Sequence, residues 1–331
     1  MSSSTLVIQT AFLGDVVLTT PLLTAIAAHH GPVDVVTTPV AAPLLETHPA
    51  VRQVIPYDKR RADRGWAGLR TLARRLKTEK YGRAYLPHRS LRTAALAFLA
   101  RIPARIGFSG GWSFLYTEAR PKPRTGHETD RLLALADEAP AVYPPQLRPT
   151  PEDARVAAGL VEGDFVALAP GSIWGSKRWP YYGELAARLA AQLPVVVVGG
   201  PDDVGLGEEI VGAVGRAGGR AVNACGKLTL RQSAALIKRA ALLVTNDSAP
   251  LHLASAVGTP IVALFGPTIT EFGFGPVRAG DVALGLELQC RPCSSHGPLQ
   301  CPLGHHRCMR DLTVEAVIAA IEELGALRRR N

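Results

Sequence analysis

Short apolar runs rich in β-branched residues alternate with longer Ala- and Leu-rich stretches along the whole chain. The short runs predict strands at 5–10, 33–37, 51–56, 84–87 and 104–108, and again at 165–169, 194–198, 242–245 and 260–265. The stretches between them predict helices. Strands that alternate with helices are typical of parallel sheets with crossover connections, so the pattern predicts an α/β fold.

A proline-rich segment at 139–151 divides this pattern into two halves. It contains Pro140, Pro144, Pro145, Pro149 and Pro151. Because proline interrupts both helices and strands, we interpret the segment as a linker between two Rossmann-like domains, 1–150 and 151–331, whose parallel sheets face each other across a cleft. A last helix is predicted at 313–327, before Arg328, Arg329 and Arg330, and could pack back on the first domain.

The composition is that of an ordinary globular protein. The chain has 331 residues, of which 47% are hydrophobic and 20% charged, which excludes a disordered chain and a mini-protein. The longest apolar run covers only 94–100, far below the ~20 residues that cross a bilayer. No basic region precedes the short apolar stretch at the amino terminus, so we predict no secretory signal and a cytoplasmic location.

The net charge of +9 is concentrated in the first half. Residues 59–105 contain 14 basic and two acidic residues, which indicates an anionic partner such as nucleic acid, an anionic lipid surface or an acidic glycan. A solvated basic face is the alternative. Nucleic acid meets only the charge criterion, because the segment has no zinc-finger spacing, RNP-type aromatic pattern or evident helix-turn-helix. The candidate anion-binding residues are Arg60, Arg61, Arg64, His88, Arg89 and Arg92.

Asp15 follows Gly14 where the first predicted strand gives way to a helix. In open α/β sheets, the carboxyl ends of the strands face the ligand. The turn lacks the Gly-x-Gly-x-x-Gly pattern of dinucleotide sites, so a carboxylate here suggests a catalytic base. The alternative is a helix-capping role, which an aspartate in a first turn commonly fills.

Three loops of the second half also follow predicted strands. The loop at 170–180 contains Gly171, Ser172 and Lys177 and predicts an anion site. Asp203 follows the next strand and could bind ribose hydroxyls. At 246–252 a turn of small residues opens a helix whose first amides would point at a diphosphate.

Four of the five cysteines lie close together in the sequence. They are Cys290, Cys293, Cys301 and Cys308. With three histidines nearby, they provide enough ligands for a tetrahedral zinc ion, although the spacing of the second pair is longer than in common zinc motifs. A loop without metal is the interpretation we favour.

The motifs together resemble a known family, the bacterial ADP-heptose:lipopolysaccharide heptosyltransferases. The resemblance is carried by 14–21 (GDVVLTTP), 177–180 (KRWP), 246–252 (NDSAPLH) and 265–268 (FGPT), and 290–293 (CRPC) with 301–309 (CPLGHHRCM) resembles the heptosyltransferase II branch. It implies a GT-B fold with acceptor binding in the first domain, a nucleotide-sugar site in the second, and inverting transfer without a metal or cofactor. The donor implied is ADP-heptose, and the acceptor is the Kdo/heptose-lipid A inner core of lipopolysaccharide.

The resemblance also implies roles for individual residues. Asp15 matches the general base and Lys177 the cation beside the donor phosphates. The residues implied to bind the nucleotide sugar are Ser172, Asp203, Leu228, Asp247, Ser248, Ala249 and His252. We further expect a monomer that contacts the cytoplasmic face of the inner membrane and binds no nucleic acid. The alternatives are another GT-B enzyme, either a transferase with a different nucleotide sugar or a sugar-nucleotide epimerase, and, more distantly, a basic nucleic-acid-binding module.

Overall fold

A computed structural model of the protein describes residues 4–137, 139 and 143–327. The chain divides into two compact units, the first ending at Arg148 and the second beginning at Pro149. The predicted boundary at residue 150 lies two residues further along the chain. Each unit is an α/β structure built on a parallel sheet.

The first unit contains a sheet of six parallel strands among the described residues. These are β1 (Thr5–Ile8), β2 (Val33–Thr37), β3 (Val51–Pro56), β4 (Arg83–Leu86), β5 (Ala104–Phe108) and β6 (Glu118–Arg120). The helices are α1 (Leu13–Leu18), α2 (Thr20–His30), α3 (Ala42–Leu45), α4 (Gly65–Thr78), α5 (Leu91–Leu99) and α6 (Glu128–Leu133). The strand order is β3-β2-β1-β4-β5-β6, so the direction of winding reverses between β1 and β4.

The second unit repeats this topology. Its strands are β7 (Val166–Ala169), β8 (Val195–Val197), β9 (Ala221–Asn223), β10 (Leu242–Asn246), β11 (Ile261–Leu264) and β12 (Val282–Leu284). Its helices are α7 (Pro151–Ala158), α8 (Tyr182–Leu189), α9 (Val204–Arg216), α10 (Leu230–Arg239), α11 (Ala249–Val257), α12 (Arg307–Arg310) and α13 (Val314–Leu324). The order is β9-β8-β7-β10-β11-β12, and the winding reverses between β7 and β10.

Apolar side chains from both faces of each sheet build the cores. In the first unit, α4 and α5 cover one face of the sheet, and α2 and α6 contribute to the cluster on the other. In the second unit, α13 buries Val314, Val317, Ala320 and Ile321 in the core formed with α8 and the central strands. The predicted contact of this last helix with the first domain stays a prediction.

All nine predicted strands are present, and the structure adds three that the sequence pattern did not indicate. The added strands β6, β9 and β12 are three residues long and lie at sheet edges. Residues 143–149 of the predicted linker form neither helix nor strand. The prediction is wrong at Pro151, which opens α7 because its fixed φ suits a first helical turn. Residues 140–142 of the linker and Arg328, Arg329 and Arg330 lie outside the described residues. Within the described ranges, no helix is long and apolar enough to cross a bilayer.

A buried histidine gives the first unit a pH-dependent stability. His48 is 2% exposed, and its Nδ1 accepts a hydrogen bond from the Ala50 amide at 3.2 Å. Burial, followed by the nearby Arg148 guanidinium, lowers the pKa of His48 to about 4, against 6.5 ordinarily. The unfolded chain therefore binds the proton more readily than the folded one between these two values.

We expect the stabilisation to be complete above about pH 6.5 and to be lost as the pH falls toward the folded-state pKa. The loss should reach about 2 kcal/mol at about pH 5. The variant His48→Asn keeps an acceptor for the Ala50 amide but does not titrate. Thermal unfolding at neutral and mildly acid pH should show a smaller decrease in melting temperature for His48→Asn than for the wild type. Equal decreases would contradict the assignment.

Candidate functional site

Two of the predicted site residues of the second unit, Lys177 and Asp247, lie where its strand order reverses. From β7 the chain passes to β8 on one side, and from β10 it passes to β11 on the other. The loops that leave the carboxyl ends of β7 and β10 therefore diverge, and such a point is where open α/β sheets bind ligands. Lys177 lies in the loop after β7, and Asp247 directly follows β10.

Lys177, Asp247 and Thr268 form a buried polar cluster at this point. The Lys177 ammonium donates to Asp247 Oδ2 at 2.5 Å, and the Thr268 hydroxyl donates to the same oxygen at 2.6 Å. The three side chains come from the loops after β7, β10 and β11, and all three are buried. A buried ammonium needs a partner, and Asp247 provides it. The structure thus brings together Lys177 and Asp247, which the sequence analysis singled out separately.

Asn246, which the sequence analysis did not single out as a site residue, fixes the shape of this cluster. Its side-chain amide donates to the Pro170 carbonyl at 2.8 Å. Its side-chain oxygen accepts from the Trp179 amide and the Tyr182 hydroxyl, each at 3.3 Å. Because Asn246 is fully buried, these bonds hold the loop after β7 against the end of β10.

Helix α11 begins directly beside Asp247. Ser248 is its N-cap residue in an extended conformation and makes no side-chain capping bond, and Ala249 is the first helical residue. Pro250 has no N–H, and the Leu251 amide donates to the Ser248 carbonyl at 3.1 Å. The amides of Ser248 and Ala249 are therefore the ones suited to a negative charge, which the helix dipole also favours. His252, one turn further, is buried, with its ring edge-on to Phe274 at 6.4 Å between centroids.

Ser172, Asp203 and Leu228 lie at the ends of β7, β8 and β9. Asp203 Oδ2 accepts a hydrogen bond from the Gly200 amide at 2.9 Å, so the carboxylate caps the turn Pro201–Asp203. The carboxylate packs so closely on Gly171 that a Cβ added there would lie 2.3 Å from Asp203 Oδ1, which is too close unless the carboxylate moves. Ser172 next to it accepts from the Trp174 amide at 3.2 Å. Half-buried Leu228 stands immediately before the N-cap of α10.

The cysteine-containing segment packs directly on the loop that holds Lys177. His306 Nε2 is 2.7 Å from the Ser176 carbonyl oxygen, and the Ser176 hydroxyl donates to the Pro298 carbonyl. Arg291 donates to the carbonyls of Phe265 and Thr268 at 3.0 and 2.8 Å. The segment therefore fixes the backbone of the two loops that carry Lys177 and Thr268.

The cysteines themselves are thiols. Burial raises the pKa of Cys308 to about 11, with the nearby Cys293, Cys301 and Cys290 adding to the increase. Burial likewise raises the pKa of Cys293. In the part of the chain that the structure describes, no three His, Cys, Asp or Glu side chains are arranged to hold a metal ion.

In the first unit, Asp15 lies in α1 at the carboxyl end of β1. It is half-buried, and its Oδ2 accepts from the Phe12 amide at 3.1 Å, so the capping role considered above is realised. The helix is fixed to the strand end by Gln9, whose side chain donates to Thr19 at 3.0 Å. A carboxylate can accept several hydrogen bonds, so capping by Asp15 does not exclude catalysis.

Two further groups surround the point where this sheet reverses. The Lys59 ammonium donates to the Thr10 carbonyl at 2.6 Å and so ties the loop after β3 to the loop after β1. His88 follows β4, and burial, assisted by Lys59 and Lys122, lowers its pKa. At neutral pH His88 is therefore mostly uncharged and offers hydrogen bonds rather than the positive charge that the sequence analysis expected of it.

The predicted anion-binding arginines differ in their availability. Arg60, Arg61, Arg64 and Arg89 are exposed. Arg92 is half-buried and donates to the Tyr57 hydroxyl and to the carbonyls of Asp63 and Gly65, at 2.6 to 2.9 Å. Arg92 thus holds the loop after β3 in place, which is a structural role.

A basic cavity of about 530 Å³ opens at the carboxyl ends of β4, β5 and β6. It is lined by Arg89, Ser109, Pro121, Lys122, Pro123, Arg124 and Arg131. The buried Glu128 pairs with Lys122 at 2.5 Å and with Arg131 at 3.7 Å, so positive charge remains in excess. Only Arg89 was among the predicted residues. The other cations follow residue 105, beyond the basic segment, which is why charge counting missed them.

Comparison with known proteins identifies the family. The model of glycosyltransferase family 9 (heptosyltransferase) matches residues 69–302. The chain is a member of glycosyltransferase family 9. Lipopolysaccharide heptosyltransferase 2 of Salmonella typhimurium is 30% identical over 321 residues, which cover 85% of this chain and 92% of the relative. Its Escherichia coli K12 counterpart is 28% identical, with 97% of each chain covered.

Solved structures of family 9 members share the whole architecture. E. coli ADP-heptose lps heptosyltransferase II superposes with a TM-score of 0.80 at 26% identity, covering 98% of this chain and 99% of that one. The family 9 glycosyltransferase from Veillonella parvula gives 0.86 at 24% identity, with 99% and 98% covered. The predicted GT-B fold is therefore confirmed, and this family 9 member is an enzyme of the glycosyltransferase class.

Proposed function

We propose that this enzyme transfers a heptose from ADP-heptose to the Kdo/heptose-lipid A inner core of lipopolysaccharide. The observation that carries the proposal is the buried Lys177, Asp247 and Thr268 cluster beside the first turn of α11, at the ligand-binding point of the second sheet in a family 9 chain. The relatives named lipopolysaccharide heptosyltransferase 2 support heptose transfer to lipopolysaccharide, and the solved E. coli ADP-heptose lps heptosyltransferase II supports the donor. The transfer reaction would take place at the cytoplasmic face of the inner membrane.

The second unit supplies the groups suited to the departing ADP. Lys177 and the first amides of α11 would stabilise the diphosphate as negative charge builds on its leaving oxygen. Asp247, which itself accepts a hydrogen bond from Thr268, holds the Lys177 ammonium in place, so little reorganisation is needed. Asp203, Ser172 and Leu228 would contact the nucleoside, with the Asp203 carboxylate placed to accept bonds from ribose hydroxyls.

The first unit supplies a base and a surface for the anionic acceptor. Asp15 would take the proton from the attacking hydroxyl as that oxygen bonds to the anomeric carbon. The bond from this carbon to the phosphate oxygen would break and release ADP. The configuration at the anomeric carbon would be inverted. The basic cavity lined by Arg89 and Lys122 suits a phosphate or carboxylate of the acceptor, and the exposed arginines at 60, 61 and 64 extend the positive surface.

Nucleotide selectivity gives a direct test of the donor. Thermal unfolding of the enzyme with ADP, UDP or GDP at equal concentration should show the largest increase in melting temperature with ADP, because only a ligand that binds the folded state raises it. A larger increase with UDP or GDP would favour a transferase or epimerase that uses another nucleotide sugar.

Gly171 provides a mutational test of the nucleotide pocket. In Gly171→Ala the new methyl group would overlap Asp203 Oδ1, so the carboxylate must move. We expect ADP to bind at least about tenfold more weakly, since about 1.4 kcal/mol of lost interaction has that effect. Gly205→Ala, on α9, is the matched control because a Cβ there meets nothing within 4 Å. Isothermal titration should show that only the first variant is impaired, and unchanged affinity in Gly171→Ala would remove Asp203 from the pocket.

A further inference from the structure

Four large apolar side chains are exposed on one side of the first unit. They are Phe98, Leu99, Trp112 and Phe114, with exposed fractions of 51%, 40%, 41% and 73%. The first two end α5. Trp112 is the N-cap of the short turn Ser113–Leu115 that connects β5 to β6, and Phe114 lies within that turn. Exposed aromatic and aliphatic residues that lie together mark an interaction site more often than isolated ones do.

Arg105 joins these side chains into one surface. Its guanidinium lies over the Phe98 ring, 5.6 Å from the centroid. The same side chain donates to the Leu115 carbonyl at 2.8 Å and to the Ile102 carbonyl at 2.6 Å, which fixes the turn beside the end of α5. The rings of Trp112 and Phe114 contact each other edge to face at 6.0 Å. We call Phe98, Leu99, Trp112 and Phe114 the aromatic patch.

The surroundings of the aromatic patch are strongly basic. Residues 65–116 contain ten Lys or Arg and a single acid, Glu79. Helix α4 packs against α5. It buries its apolar face and exposes four cations, Arg70, Arg74, Arg75 and Lys77. Arg101, two residues after Leu99 in the sequence, is also exposed.

From this combination we infer that the aromatic patch docks the enzyme on an anionic phospholipid surface. Trp and Phe insert at the boundary between headgroups and acyl chains, while Lys and Arg bind the anionic headgroups around them. A second copy of the chain is a poorer occupant, because it would bring the same excess of positive charge against itself. Membrane docking itself does not depend on the proposed function. Only its purpose does, which is to bring the lipid-linked acceptor close to the reaction site.

Co-sedimentation of the full chain with vesicles tests the inference. The wild type should bind vesicles of phosphatidylcholine mixed with phosphatidylglycerol, and bind more weakly to phosphatidylcholine alone or at high salt. The double variant Trp112→Ser/Phe114→Ser should lower the partition coefficient at least about tenfold. Arg70→Gln/Arg74→Gln should weaken binding to the anionic vesicles only.

The matched control is Val40→Ser/Leu303→Ser, which removes apolar side chains that are 67% and 64% exposed but lie outside the aromatic patch. It should bind vesicles like the wild type. If the patch variant also binds like the wild type, or if it abolishes a dimer while vesicle binding is unchanged, the inference is wrong. Phe98→Ser provides a second patch variant if the first does not fold.

A readout of transfer separates this inference from the proposed function. The patch variant should glycosylate a deacylated, water-soluble acceptor at the wild-type rate, because no patch residue belongs to the proposed reaction site. Vesicle binding is measured without substrate. An inactive wild type would therefore contradict the proposed function and leave the docking result intact, whereas slow transfer to the soluble acceptor by the patch variant alone would contradict the inference.

Discussion

Replacing Lys177 with methionine should lower the turnover of the enzyme by about 10²–10³-fold. A preorganised charge next to a departing group commonly contributes this much, and Lys177 is a buried cation at the strand-order reversal of the second sheet, where we propose that ADP binds. Methionine keeps most of the volume of the lysine stem but has no ammonium. Initial rates with saturating ADP-heptose and acceptor measure the loss.

The same variant should also be less stable, because Asp247 would lose its ammonium partner and keep only the bond from Thr268. Removing one member of a buried ion pair costs about 3–5 kcal/mol. The double variant Lys177→Met/Asp247→Leu removes both charges and should recover part of that stability. It should not recover turnover. This contrast separates a catalytic lysine from a structural one: if the double variant regains both stability and activity, Lys177 serves folding only.

Asp15→Asn should lower turnover by about 10²–10⁴-fold, which is the usual contribution of a general base. The asparagine oxygen can still accept the hydrogen bond from the Phe12 amide, so α1 should keep its start. Since Asp15 belongs to the first unit, ADP affinity should stay at the wild-type value. In a plot of turnover against pH, Asp15→Asn should also lack the rise that deprotonation of Asp15 produces in the wild type.

Asp15→Ala distinguishes catalysis from capping. It removes both the base and the cap, so it should be as inactive as Asp15→Asn and in addition less stable by about 1 kcal/mol. A purely structural Asp15 gives the opposite pattern, with wild-type turnover in Asp15→Asn and a loss of stability confined to Asp15→Ala. That pattern would remove Asp15 from the mechanism.

The sequence predicted those parts of the fold that depend on runs of apolar residues. The interior strands, such as β1 and β10, are completely buried, so their residues are apolar enough to predict a strand. The edge strand β6 reads Glu118-Ala119-Arg120 and is mostly exposed. A three-residue strand of this composition is formed by pairing with β5 and has no pattern of its own to detect.

The candidate site was predictable to the extent that its residues lie in motifs. The loops with Lys177 and Asp247 follow strands, and sheet topology then places both at the same edge. The partner of Lys177 was not predictable, because only the fold brings residue 247 to residue 177. The contacts of Arg291 and His306 with these loops were not predictable for the same reason, because both side chains bond to backbone carbonyls that are distant in the sequence.

Mass analysis of the acceptor after incubation with ADP-heptose tests the central claim most directly. With a truncated, heptose-deficient inner-core acceptor, we predict one added heptose per acceptor, release of ADP, and no product from Lys177→Met or Asp15→Asn in the same time. An unmodified acceptor, or a product formed equally well from a uridine or guanosine sugar nucleotide, would contradict the account.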